Sequence, residues 1–311
     1  MNRLKIVTTI LCMSFGMVLF NSCRTEETID PNIDIPNLGG YEYPRTALDD
    51  WLDETFLLPY NIEIIYRWDA VRIYASVSKK ITPVKVEKVQ PMLSTLAKVW
   101  FAPFQLAAPY GFLQKHTPKT IVLAGSPEYA ADGNSMVLGT AEGAMRVLLT
   151  NVNDFDPHSE SVLKGYLHVI EHEYVHILNQ SIDFSTEFKS LTRQFYDPTG
   201  WTDYDSEKEA YERGFLSRYS MTAPDEDFAE IVSLVLVNGV DWFENEVIPI
   251  AEDSEVNPNA ASALRRKVAI AEEYYKTAWD IALFDNPVTG KKGLATLVRE
   301  AVIHEVYNSG N

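Results

Sequence analysis

Apolar residues recur at three- and four-residue spacing through most of the second half of the chain, which is the period of an amphipathic helix. The clearest case is the stretch 159–181, where Leu163, Leu167, Ile170 and Leu178 share one face. The same pattern predicts further helices at about 205–215, 225–238, 259–283 and 293–307. The C-terminal half is therefore predicted to be mainly helical.

The first half mixes two kinds of pattern. Short β-branched and aromatic runs predict strands at Ile62–Trp68, Thr120–Ala124 and Met145–Thr150. Helices are predicted at Thr46–Leu58, stopped by Pro59, and from Pro91 to about Trp100. Strands that come before helices indicate an α+β fold, with a small mixed sheet packed on the helix at 159–181.

The N-terminus has the order of an export signal. A basic opening with Arg3 and Lys5 precedes an apolar run of about 15 residues, which is shorter than the ~20 that a spanning helix needs. The run ends at Ser22-Cys23, which resembles a bacterial lipobox. We predict a lipoprotein signal peptide at 1–22 and lipidation of Cys23; an ordinary signal peptide or an uncleaved anchor are the alternatives.

Residues 24–45 are rich in Asp, Glu, Asn, Pro and Gly and poor in large apolar side chains. Such a composition cannot bury enough apolar surface to fold, so 23–45 is predicted to be a flexible tether. The remaining residues, 46–311, are predicted to form one catalytic domain.

Composition excludes several classes of function. The two cysteines of the chain are Cys12, inside the predicted signal, and Cys23, so the folded part has none for a disulfide, a thiolate nucleophile or cysteine-bound zinc. The net charge is −17, which disfavours nucleic acid as a partner. Without a basic patch, attachment to a membrane would depend on the lipid anchor.

The chemistry concentrates in His172-Glu173-Tyr174-Val175-His176. Residues four apart lie on one face of a helix, so the two imidazoles can converge on one zinc ion. Glu173 is rotated by about 100° from His172, off the line of ligands but near a water in an open coordination position. An ordinary helix with two unrelated histidines is the alternative, although the chain has only six histidines.

A second motif overlaps the first. His168, Glu171 and His172 have the spacing of the inverted H-x-x-E-H arrangement, in which Glu171 would be the base. A third ligand must come from elsewhere in either case, and the acidic stretch 224–230 is the candidate. Glu226 and Glu230 share a helix face there, so that one could bind zinc and the other accept the remaining N–H of a ligand histidine. The alternative is that these residues are acidic only because negative charge in the first turn of a helix is favoured by the helix dipole.

The HExxH motif, followed about fifty residues later by Tyr219 and the box Glu226-Asp-Phe-Ala-Glu230, resembles the gluzincin pattern of lethal-factor-like peptidases. Together with the signal and Cys23, it resembles the substrate import-associated zinc metallohydrolase lipoproteins of Bacteroides-type bacteria. The resemblance implies a zincin-like fold and one Zn²⁺ held by His172, His176 and Glu226. It also implies Glu173 as base, Glu230 as partner of a ligand histidine, and Tyr219 as a phenol donor to the oxyanion. His168 is then only a helix neighbour.

Two functions follow as hypotheses. The first is a metallopeptidase of the outer membrane, on its periplasmic or cell-surface face, that hydrolyses a peptide or protein substrate. The stretch 139–143 could offer a strand edge to that substrate, or form a plain hairpin. The second is a non-catalytic surface lipoprotein that binds peptide or glycan, through aromatics such as Trp201, Tyr204 and Trp242. The resemblance implies a TonB-dependent importer, with its surface binding lipoprotein, as a partner.

Overall fold

The computed structural model describes residues 43–69, 81–129, 136–142 and 145–308. Cys23, the predicted signal and all but the last three residues of the predicted tether lie outside this part of the chain. Thr46–Asn311 form one compact unit. In the described ranges, no helix has both the length and the apolar character required to cross a membrane.

Ten helical segments occur in the described part of the compact unit, and several continue through a π-helical turn. They are α1 (Ala47–Leu52, Asp53–Leu57 as a π-turn, Leu58–Tyr60), α2 (Val86–Leu96, Ala97–Phe101 as a π-turn, Ala102–Ala107), α3 (Phe112–His116), α4 (Glu160–Ser181), α5 (Phe188–Leu191), α6 (Glu207–Tyr211), α7 (Pro224–Asn238), α8 (Val240–Trp242, Phe243–Val247 as a π-turn, Ile248–Glu252), α9 (Ala260–Trp279) and α10 (Leu294–Asn308). Short 3₁₀ turns at Val152–Asp154, Arg193–Phe195, Trp201–Asp203 and Tyr219–Thr222 connect them.

The described strands form two sheets. β1 (Glu63–Ile65), β2 (Thr120–Leu123), β5 (Gly139–Glu142) and β6 (Arg146–Leu149) make a four-stranded sheet in the order β1-β2-β6-β5. Its first three strands are parallel, and β5 is an antiparallel edge strand. β3 (Glu128–Tyr129) and β4 (Met136–Val137) pair as a separate antiparallel ribbon.

The two faces of the larger sheet are covered differently. Because side chains alternate along a strand, Ile121, Leu123 and Leu149 join the main core with α4, while Val122 and Leu148 belong to a small cluster on the other face. A Cβ at Gly139 would lie 2.7 Å from Val169 Cγ1 of α4. The absence of a side chain at this position therefore allows the edge strand β5 to lie directly against the helix.

Helix α7 packs along α4, and also contacts α9 and α10. Phe228, Ile231, Val232 and Val235 form its buried stripe. Pro224 occupies its first turn, where the missing N–H costs no helical hydrogen bond. Gly239 ends it with a positive φ of 86°. The mixed sheet and the helical C-terminal half agree with the predicted α+β class.

Several predicted boundaries were wrong. Pro91 lies inside α2, which begins at Val86, and Pro59 lies inside the last turn of α1, which Asn61 ends with a left-handed backbone. Proline at an exposed helix position removes one hydrogen bond but can be tolerated when the opposite face is buried, as Val89 and Met92 are. The helix predicted at 205–215 is only Glu207–Tyr211.

Candidate metal centre

Helix α4 places three histidines on one face. Its N-terminus is capped by Ser159, whose hydroxyl accepts a hydrogen bond from the Val162 N–H at 3.5 Å. His168, His172 and His176 follow at successive turns, with His172 buried and the other two half-buried. Leu163, Leu167 and Val175 of α4 are buried in the main core, and α4 packs against α7.

Helix α7 brings two carboxylates to the histidines. Glu226 lies in its first turn and is half-buried, and Glu230 follows one turn later and is buried. The two helices run together so closely that both carboxylates contact imidazoles of α4. Each predicted acidic candidate therefore reaches the histidine face, but they contact different ring nitrogens.

Three atoms converge at the exposed end of this contact. His172 Nε2 lies 3.0 Å from Glu226 Oε2, His176 Nε2 lies 3.3 Å from the same oxygen, and the two nitrogens are 3.1 Å apart. Zinc–nitrogen and zinc–oxygen bonds of about 2.0–2.1 Å place tetrahedral ligand atoms about 3.3–3.4 Å apart. The triangle thus has nearly the dimensions of three ligands of one tetrahedral zinc ion.

The hydrogen-bond pattern also calls for positive charge there, supplied by a proton or by a metal ion. His172 Nδ1 lies 2.8 Å from Glu230 Oε1. An ionised carboxylate only accepts, so Nδ1 carries the proton and, in a neutral ring, Nε2 presents its lone pair to Glu226 and His176. Two electron-rich groups at 3.0 Å repel each other unless a proton or a metal ion lies between them. The residues present fit a zinc ion.

The electrostatics of these groups agree. Burial by itself would lower the pKa of His172, but hydrogen bonds to Glu226 and Glu230 raise it to about 10. Burial opposes the ionisation of Glu226, yet its hydrogen bonds to His172 and His176 hold its pKa well below the usual range. The site therefore stabilises positive charge between ionised carboxylates.

Glu173 and Tyr219 lie beside the triangle. Glu173 is half-buried and contributes negative charge at both His172 and Tyr219. The ring of Tyr219 lies 5.8 Å from that of His172 and 5.4 Å from that of Trp201, and the residue is 40% exposed, so that part of the phenol is buried. Burial of the phenol, the charge of Glu226 and a hydrogen bond to it raise the pKa of Tyr219, so the hydroxyl keeps its proton at neutral pH.

The inverted motif is not supported by the geometry. Glu171 is rotated by about 100° from His172, away from Glu173. It is fully buried, and neither carboxyl oxygen has a hydrogen-bond partner among the described residues. Burial raises its pKa well above the ordinary value, so it is a neutral acid rather than a base. His168 Nε2 lies 2.8 Å from Glu230 Oε1 and not in the triangle.

Two residues of the site were missed. His168, treated as a helix neighbour, hydrogen-bonds Glu230; its four-residue spacing from His172 was the signal that could have identified it. Ser217 donates its hydroxyl to Glu230 Oε2 at 2.6 Å. It lies in an irregular segment whose sequence carries no periodic pattern, so sequence alone offered no signal for it.

Comparison with known proteins gives the chain a family. Residues 42–284 match the family described as "putative zinc-binding metallo-peptidase". The chain belongs to this family. A solved structure with the same description, from Bacteroides caccae, is 24% identical, has a TM-score of 0.65, and aligns over 83% of this chain and 90% of that one. This likeness shows a shared fold. No curated protein matches the chain.

Proposed function

We propose that the chain is a zinc-dependent peptidase with a zincin-like active site. The proposal is carried by one observation, the triangle of His172 Nε2, His176 Nε2 and Glu226 Oε2 with sides of 3.0, 3.1 and 3.3 Å. Zinc held there supplies Lewis-acid activation of a water and of the substrate carbonyl. In this assignment Glu226 is the third ligand and Glu230 orients His172.

The remaining residues have roles in proton transfer and charge stabilisation. A carboxylate oxygen of Glu173 takes the proton of the attacking water and delivers it to the leaving amine. The Tyr219 hydroxyl, which keeps its proton, donates to the oxyanion that develops on the carbonyl. The ring of Tyr219 lies 5.8 Å from that of His172. In this proposal the phenol is therefore beside the zinc ligands and is not one of them.

A peptide substrate suits the sheet edge near α4. Among the strands that the structure describes, the four-stranded sheet ends at β5, and none of them pairs with its outer side. An extended peptide can add to such an edge by main-chain hydrogen bonds. Because Gly139 lets β5 lie against α4, an added strand would pass close to the histidine helix.

Metal analysis combined with a cleavage assay tests the proposal. Purified protein should contain about one zinc per chain, cleave members of a peptide library, lose cleavage on chelation and recover it with zinc. Glu173→Gln serves as control, with zinc retained and cleavage lost. Protein that binds no zinc would overturn the proposal. Zinc binding without cleavage of any peptide would favour the alternative, a binding lipoprotein that serves an importer.

The location is a separate proposal that rests on residues 1–23. We propose an outer-membrane lipoprotein anchored through Cys23, on the periplasmic or cell-surface face, with a TonB-dependent importer as partner. Cells fed labelled palmitate should label the wild-type chain and not Cys23→Ala. Equal labelling of both would refute the anchor.

A further inference from the structure

The carboxylate of Glu230 accepts hydrogen bonds from three donors, whereas the orientation of His172 alone would require only one. Its Oε1 accepts from His168 Nε2 and from His172 Nδ1, both at 2.8 Å, and its Oε2 accepts from Ser217 Oγ at 2.6 Å. The carboxylate side chain is only 3% exposed. A buried carboxylate with both oxygens occupied has little freedom to rotate or to accept from a different group.

The orientation of this carboxylate decides the state of His172. An ionised carboxylate only accepts, so its contact at Nδ1 keeps the proton of His172 on that nitrogen and leaves Nε2 toward His176 and Glu226. If Glu230 rotated away, neither the tautomer nor the ring plane of His172 would be fixed. The groups that fix Glu230 therefore act on the triangle without touching it.

Ser217 is itself fixed by the turn that follows it. The backbone N–H of Ser220 donates to Ser217 Oγ at 3.0 Å, and the two hydroxyls are also 3.0 Å apart. Ser220 is buried and belongs to the 3₁₀ turn Tyr219–Thr222, which packs on α7. Ser217 thus connects Glu230 to the same turn that carries Tyr219.

His168 holds the other side of the carboxylate. Its side chain is 31% exposed, and it shares Glu230 Oε1 with His172. A second metal ion bound by His168, His172 and Glu230 is disfavoured, because Nδ1 of His172 would have to lose its proton while Nε2 is already directed at the triangle. The 2.8 Å distances are those of charge-assisted hydrogen bonds.

We propose that His168 and Ser217 are positioning residues for the metal site. They hold the two carboxylate oxygens of Glu230 in place by hydrogen bonds, so that His172 directs Nε2 at the metal. This inference rests on the proposed function, since it assumes that zinc binds at the triangle. It assigns a role to a histidine outside the HExxH motif and to a serine in a connecting segment.

Zinc affinity, measured by competition with a chelator, tests the inference. Loss of the direct hydrogen-bond partner of a ligand histidine lowers metal affinity by about 10- to 100-fold. Ser217→Ala removes a donor to that partner, Glu230, and we expect a loss at the lower end of this range, about 10-fold. Ser217→Thr keeps the hydroxyl and should restore the affinity. His168→Ala, at a partly exposed position that folding should tolerate, is expected to weaken binding in the same range, and His304→Ala on the exposed surface of α10 should not.

A stability-matched control separates positioning from general loosening of the fold. Thr95 donates its hydroxyl to the buried carboxylate of Glu305 at 3.0 Å, a hydrogen bond of the same kind far along the chain from the site. Thr95→Val should leave zinc affinity unchanged at a temperature where all variants are folded. Unchanged affinity in Ser217→Ala and His168→Ala, or an equal loss in Thr95→Val, would overturn the inference. A wild-type protein without zinc affinity would instead overturn the proposed function.

Discussion

Two glutamates on one helix offer the sharpest test of the active site. Glu171 and Glu173 are two residues apart on α4, but Glu171 is fully buried on the core side and Glu173 is half-buried beside Tyr219 and His172. We expect opposite results from Glu171→Gln and Glu173→Gln. The first should leave peptide cleavage nearly intact, and the second should abolish it while zinc stays bound.

The magnitudes follow from the state of each carboxyl. A general base contributes about 10²- to 10⁴-fold to the rate, so Glu173→Gln should reduce kcat/KM by that factor, equivalent to about 3–5 kcal/mol. Glu171 is protonated because burial raises its pKa well above the ordinary value. An amide has the same shape and no charge, so Glu171→Gln should change kcat/KM less than about 3-fold, since no reacting group is removed.

Stability of the metal-free protein gives a second readout for Glu171. A carboxyl whose pKa is raised on folding binds more protons in the native state than in the unfolded state. Its contribution to stability is therefore present below the unfolded pKa and is lost as pH rises toward the folded pKa, at up to about 1.4 kcal/mol per pH unit. Glu171→Gln lacks this loss, so its unfolding free energy relative to wild type should increase from pH 5 to pH 8.

The assay is cleavage of one fluorogenic peptide at saturating zinc, with zinc content and urea unfolding measured on the same samples. Retained activity in Glu173→Gln together with its loss in Glu171→Gln would refute the reasoning and favour the inverted motif. A pH-independent difference in unfolding free energy between Glu171→Gln and wild type would show that Glu171 is ionised in the folded protein.

Three further predictions concern the surroundings of the site. Tyr219→Phe should keep zinc and lose about 10²- to 10³-fold in kcat, as expected for an oxyanion donor; an unchanged kcat would remove that role. Glu226→Gln should bind zinc far more weakly than wild type in chelator competition, and wild-type affinity would show that another group is the third ligand. Lys267→Met leaves Asp227, its fully buried partner at 2.6 Å, without its ammonium and should cost about 3–5 kcal/mol in urea unfolding. Asp227→Asn combined with Lys267→Met should recover part of this, and equal stabilities of the single and double variants would contradict it.

The sequence was most informative where the evidence is local. The four-residue spacing of His172 and His176 places both on one face of a helix whatever that helix packs against, because the repeat of a helix fixes it. The buried stripe of α7, formed by Phe228, Ile231, Val232 and Val235, follows the same helical repeat. Pro91 and Pro59 were misjudged because a local rule about proline was outweighed by the packing of the buried helix faces.

Relations between separate elements needed the tertiary structure. The packing of α7 on α4 decided that Glu226 contacts Nε2 of His172 while Glu230 contacts Nδ1 of the same ring. The two glutamates are one helical turn apart, and their spacing alone would allow either of them to take either place. The same packing buried Glu171, and so made a neutral acid of the residue that the inverted motif would use as base. Ser217 became a partner of Glu230 only through the path of an irregular segment. Helical periodicity determines which residues share a face, whereas the contact between two faces depends on side chains far apart in the chain, whose register no local pattern encodes.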